Sequence, residues 1–179
     1  MKRLLFLPLL ALSLLLLSCD SQVPGEPMGP DLGLQASNRG VSSAPAVTGS
    51  GHYFNSSGIR RTFSFHVRQD SDGNVHGNFQ LVGHDQPPKR WHGPLTCFSV
   101  VGNEAWIGGI YEKSTNIDLI DTGFGFYVKD NGQGKGSDPD LLRRHIRGQV
   151  PEAYCSVMPD PGSEFLFPIE SGNAKIHAR

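Results

Sequence analysis

Beyond its first residues this 179-residue chain has no long apolar run, no stretch at helical period and no block of charge of one sign. The missing helical period argues against a helix bundle or an alternating α/β fold. The 16 basic and 17 acidic residues are dispersed, so the sequence offers no electrostatic case for nucleic acid or anionic lipid as a partner. Catalytic signatures are missing too: there is no Gly-x-Ser-x-Gly elbow and no His-Glu-x-x-His. The glycine-rich stretch Gly132 to Gly136 lacks the Lys-Ser/Thr pair of a phosphate loop. These absences remove the commonest hydrolase, metalloprotease and nucleotide-binding readings. Cysteine is scarce as well, with three in the chain.

The single apolar run, Leu4 to Leu17, follows Lys2 and Arg3. It is shorter than the ~20 residues a bilayer-spanning helix needs, and its order is that of a secretory signal. The run ends in Leu16-Leu17-Ser18-Cys19, which resembles the lipobox of bacterial lipoproteins. That resemblance implies cleavage after Ser18 and acylation of Cys19, with the membrane as partner through the acyl chains. Two or three acyl chains make a durable anchor where one is marginal. Asp20, next in line, resembles the inner-membrane retention signal of enterobacterial lipoproteins. Loss of Lys2 and Arg3 takes the mature chain to 14 basic residues against 17 acidic, a charge of about −3.

From Asp20 to about Pro45 the chain is Pro, Gly, Ser and small residues. Such a segment buries too little apolar surface to offset the entropy of ordering it, so a flexible tether is expected. The expected organisation is a signal peptide over residues 1–18, a lipid-anchored tether over 19–45 and a single β domain over 46–179. This places the domain on the extracytoplasmic side of the cell envelope.

Past residue 46, short apolar runs alternate with Gly and Asn, the pattern of an antiparallel β protein. The first hairpin can be registered. A three-residue loop, Ser71-Asp72-Gly73 with Gly73 left-handed, sets Phe63 against Leu81, Phe65 against Phe79 and Val67 against Gly77. A two-residue loop would put Phe against Gln and Asn, and register follows the buried face. A second hairpin turning at Gly102-Asn103 sets Phe98 against Ile107 and Val100 against Ala105. Cys97, Ser99 and Trp106 then occupy its other face, which needs a cover. The C-terminal segment, carrying Cys155, is the natural one. Two cysteines in one exported domain most often pair, so a Cys97–Cys155 disulfide is expected. Further strands are expected at residues 47–54, 123–129 and 174–177. The fold class is an all-β antiparallel meander of about eight strands, a closed or partly closed barrel, with pairing of first and last strands as one way to close it. A two-sheet sandwich is the alternative.

The ordered series Val47-Thr48-Gly49-Ser50-Gly51, Arg61-Thr62-Phe63-Ser64-Phe65 and Asp72-Gly73-Asn74-Val75-His76-Gly77 resembles a family of uncharacterised exported bacterial domains. His92-Gly93, Thr96-Cys97, Val101 to Gly109, Asp130-Asn131-Gly132 and Pro168 to Asn173 extend the match over residues 47–177. The resemblance implies a compact β domain with both cysteines in place, and no activity. Gln133 departs from it, where the family tends to carry an acid.

Four groups of residues carry chemistry worth testing. Asp130, Asn131, Asp138 and Asp140 lie in one Gly-rich loop and have the oxygen ligands calcium takes, although Lys135 sits among them. Asp, Asn and Gly are equally the residues of any tight polar loop. Among seven histidines, His66 and His76 share a face but sit diagonally, facing Asn78 and Arg68, and His84 and His92 flank a Pro-Pro loop; none has structural-zinc spacing. Asp118, Asp121, Glu112 and His92 would serve an enzyme only by converging in one pocket. Trp91, beside Arg90 and His92, is read either as packing or as a rim for sugar or peptide. The leading reading is a non-enzymatic envelope domain that binds a small ligand at a barrel mouth or an envelope partner. A barrel-based enzyme and a purely structural protein are its rivals.

Overall fold

The computed structural model describes residues 44–134 and 136–178. The signal segment, Cys19, the tether up to residue 43 and Lys135 lie outside the described residues. Ten strands form: β1 (Ala46–Phe54), β2 (Arg60–Gln69), β3 (Val75–Gly83), β4 (Lys89–Val101), β5 (Glu104–Ile110), β6 (Lys113–Ser114), β7 (Gly123–Lys129), β8 (Leu141–Arg147), β9 (Leu166–Pro168) and β10 (Ser171–His177). A short helix, α1 (Pro151–Val157), lies between β8 and β9. The strands make one antiparallel sheet in the order β10-β1-β2-β3-β4-β5-β7-β8-β9, and β6 pairs with β4 off this path. The sheet curls through 285° into a half-barrel, the partly closed form of the expected barrel and not a sandwich. The count exceeds eight because β6 and β9 are only two and three residues long. Pairings so brief leave no alternating pattern in the sequence.

Both hairpins adopt the expected registers. Phe63 pairs with Leu81, Phe65 with Phe79 and Val67 with Gly77, across a turn in which Gly73 has φ 87°. Phe98 pairs with Ile107 and Val100 with Ala105. The strand β4 is longer than expected. Its first half pairs with β3 and its second half with β5, and the register shifts between Leu95 and Cys97. That irregularity lets one strand turn the corner of the barrel.

Inward residues stack in layers along the barrel. Phe65 and Phe79 meet Phe126 at 5.1 Å each between ring centroids, and Phe124 lies 5.0 Å from Phe79. One layer further along, Phe63, Leu81 and Trp91 are successive cross-strand partners. The end layer is different: Tyr53 pairs with Arg61, Arg61 with Gly83 and Gly83 with Lys89. An inward-facing arginine at the end of an aromatic face marks this end as the mouth.

First and last strands pair, from Ala46 with His177 to His52 with Ser171. The outer edge of β10 faces the remaining opening, and side chains take the place of a further strand there. Asp140 Oδ2 accepts the Ala174 amide at 2.8 Å and Asp130 Oδ2 accepts the Ile176 amide at 3.0 Å. Two residues apart on one strand, these amides point the same way, so two carboxylates satisfy the edge that an open sheet would expose.

The outer face of β5 and β7 is covered by α1, which starts at Pro151, suited to a first-turn position lacking a free amide partner. Trp106 and Tyr127 pack against its Tyr154 and Cys155, and Trp106 Nε1 donates to Pro159 O at 2.9 Å. Cys97 and Cys155 form a disulfide. Gly125 permits this approach, since a Cβ there would stand 2.6 Å from the Tyr154 ring.

Candidate functional site

Two adjoining cavities of about 250 and 320 Å³ open at the mouth and share Arg61, Trp91 and Arg147. The deeper one has Tyr53, Leu81, Trp91 and Phe165 as apolar wall and Arg61, with the run Arg143 to Arg147, as polar wall. The strand β8 reaches it through a bulge. Gly125 pairs with Ile146 and Tyr127 with Arg143, which leaves Arg144 and His145 together opposite Phe126. A bulge of two residues against one sends both side chains to the same face. Arg144, His145 and Arg147 therefore line the cavity, and Ile146 borders it while packing against the α1 cluster.

Trp91 and His145 line the cavity, and Tyr111 packs against His145 behind it. The His145 ring lies 5.1 Å from that of Trp91 and 5.8 Å from that of Tyr111. Trp91 Nε1, Tyr111 Oη and His145 Nδ1 are all buried without a hydrogen-bond partner. An unsatisfied buried polar atom costs about 1–3 kcal/mol, and native structures keep few of them, mostly where function or a bound molecule accounts for them. The His145 ring adjoins both of the others, which brings three such residues together at one place in the core.

The electrostatics are one-sided. Arg61 forms a two-point ion pair with Asp85, and Lys89 Nζ stands 3.7 Å from the same carboxylate. The hydrogen bond from Arg61 is the main reason the Asp85 carboxyl is held below its usual range. Gly83 makes room for this guanidinium, which a Cβ would strike. Arg143 donates to Asp160 O and lies over the Phe165 ring, 5.2 Å from its centroid. Among the described residues Arg144 and Arg147 have no carboxylate partner, and both are exposed at the rim. Burial first, then the charges of Arg147, Arg144 and Arg61, lower the His145 imidazole from 6.5 to about 3.

His145 is thus neutral at physiological pH and links stability to acidity. Above 6.5 it is uncharged in both folded and unfolded chains. As the pH falls below 6.5 the unfolded chain takes up a proton that the folded one refuses until about 3, so stability declines across that window. We predict that the His145 ring resonances stay at their neutral positions throughout mild acid. His145→Gln should flatten the fall of the urea midpoint with pH, and an unchanged slope would contradict the assignment.

The residues singled out from sequence divide differently. Trp91 is buried and lines both cavities, whereas Trp106 packs under α1 as expected. The four candidate acid–base residues do not converge. His92 Nδ1 is 3.4 Å from Glu112 Oε2 without hydrogen-bonding geometry. Asp118 sits exposed in a 3-10 turn, Asp121 is exposed at φ 63°, and none of the four lines the mouth cavities. His66 and His76 do face Asn78 and Arg68, and His76 bonds Asp70 at 2.9 Å.

Three of the four proposed calcium residues, Asp130, Asn131 and Asp140, make hydrogen bonds within the fold. Asp140 accepts the Asn131 and Ala174 amides, Asp130 accepts those of Gly132 and Ile176, and Asn131 donates to Pro139 O. Asp138 is exposed at the loop tip. Among the described residues no three His, Cys, Asp or Glu side chains group as metal ligands would.

No family model, curated protein or solved structure matches this chain. The site therefore rests on its own geometry. Sequence reasoning passed over Arg61 and the Arg143-Arg144-His145-x-Arg147 run, treating the charges as dispersed. Arg61 had a legible signal, since it stands in phase with Phe63, Phe65 and Val67 and so faces inward. The β8 run had none, because its bulge breaks the alternation by which a strand is recognised.

Proposed function

We propose that this chain is a lipid-anchored domain of the cell envelope whose half-barrel mouth binds a small ligand without chemical turnover. The carrying observation is the mouth wall, where Trp91 Nε1 and His145 Nδ1 lie buried and unpartnered beside a 250 Å³ cavity. A concave, mostly apolar site with a few convergent polar groups is the usual form of a small-molecule site. The lipid anchor rests on the Leu16-Leu17-Ser18-Cys19 pattern, and the disulfide fits an oxidising compartment. An enzymatic reading gains nothing from the structure's placement of Asp118, Asp121, Glu112 and His92.

The two indoles make the test direct. In the full-length chain, pools of aromatic and aliphatic fragments should shift the Trp91 indole N–H and the amides of residues 143–147. The Trp106 indole, bonded to Pro159 O, should stay in place. If no pool moves Trp91 more than Trp106, the mouth is not a ligand site. Detergent-phase partitioning that Cys19→Ser abolishes tests the anchor; partitioning of that variant like the parent would refute it.

A further inference from the structure

The mouth has an unbalanced charge. Among the described residues, the carboxylate that pairs with an arginine of the cavity wall is Asp85, and it is shared by Arg61 and Lys89. Arg144 and Arg147 are left on the opposite wall without an acid among the described residues. The charges that act on His145 are those of three arginines, with no carboxylate opposing them. A bulge in β8 is what turns Arg144 to the same side as His145 and Arg147. Bulges re-aim side chains, and one that gathers like charges around an apolar cavity works against stability unless something of opposite sign completes it. The apolar part is just as specific: Tyr53, Leu81, Trp91 and Phe165 wall a space of about 250 Å³. That is below the roughly 300–1,000 Å³ of drug-sized sites, so it suits one compact ring system and not a long acyl chain.

We infer that the mouth takes a small aromatic acid, one oxyanion on a flat apolar body, with Arg144 and Arg147 as charge partners and Trp91 beside the body. This rests on the reading of the mouth as a ligand site. Arginine pairs with carboxylate and phosphate through the same planar fork of donors, so the shared feature is the oxyanion. A carboxylate and a phosphate monoester are the two forms to separate. The neutral His145 adds a hydrogen-bonding group without adding charge, which leaves the sign of the site to the arginines.

Three probes share one ring system: 2-naphthoate, 2-naphthyl phosphate and the uncharged naphthalene-2-methanol. Calorimetric titration of the full-length chain should show an acid binding at least ~tenfold more tightly than the alcohol, which is ~1.4 kcal/mol. The tighter acid identifies the oxyanion. In the double variant Arg144→Gln, Arg147→Gln, acid affinity should fall by at least ~tenfold, with alcohol affinity unchanged. Both arginines are exposed at the rim, and an unchanged urea midpoint would show that the fold persists. Equal binding of acid and alcohol would overturn the anionic class while leaving the mouth a ligand site. Binding of none of the three would overturn the site itself. Loss of acid and alcohol alike in the double variant would also overturn the inference, by making the arginines part of the pocket's shape.

Discussion

Asp140→Ala is expected to destabilise the domain by about 3–5 kcal/mol, from two charge-assisted hydrogen bonds at roughly 1.5–3 kcal/mol each. The carboxylate is buried, and its oxygens accept the Asn131 and Ala174 amides at 2.8 Å each. One bond holds the loop between β7 and β8, and the other holds the free edge of β10. Removal leaves the buried Ala174 amide with no acceptor, at the place where the half-barrel has no further strand to offer. Asp140→Asn makes a sharper test, because its amide group sets a donor against a donor at one of the two amides. It should therefore lose much of the same stability at nearly constant volume. Urea unfolding measures both variants, and amide exchange at Ala174 should speed up in each before global unfolding. Destabilisation below about 1 kcal/mol in Asp140→Ala would show that the seam does not depend on this side chain.

Reduction of the Cys97–Cys155 disulfide is the second large effect. The bond spans 58 residues, and closing such a loop restricts the unfolded chain by about 4 kcal/mol in the chain-entropy model. For a domain of this size that corresponds to a drop in melting temperature of roughly 15 °C. The structural consequence should be local. The loop it closes contains β5, β6, β7 and β8, whereas β10 lies beyond Cys155 and keeps its own pairs with β1. Reduction, or the double Cys97→Ser, Cys155→Ser variant, should therefore loosen α1 and leave the β1–β10 seam in place. The Trp106 indole N–H, bonded to Pro159 O, should exchange faster, while the Lys175 amide, on the side of β10 that faces β1, should hold. Loss of both at once would mean that α1 and the seam unfold as a single unit.

How far the fold could be foreseen depended on how local its cause was. The Phe63–Leu81 and Phe98–Ile107 registers follow from loop length and from the need to keep apolar residues on one face. The sequence contains both facts within a few residues of the turn. The outer cover was also legible. Trp106 and Cys97 on the second face of a hairpin required something to cover them, and Cys155 lay in the only cysteine-bearing segment left. The strand β8 was not legible, since Leu141-Leu142-Arg143-Arg144-His145-Ile146-Arg147 follows neither strand nor helix periodicity. Its bulge and its position at the mouth make inward residues polar, which removes the signal. Within one loop, Asp138 and Asp140 look alike in sequence. Asp140 is buried and binds two amides, while Asp138 meets solvent.

By itself, the sequence determined the β class, the hairpin registers and the cysteine partners. Alternation, turn residues and the scarcity of cysteine act over short range or leave few choices. The tertiary structure alone decided where charge collects and which carboxylate becomes structural. Arg61 of β2 meets Arg144 and Arg147 of β8 only when the sheet curls. Asp130 and Asp140 gain their amides only because β10 ends beside them with an unpaired edge.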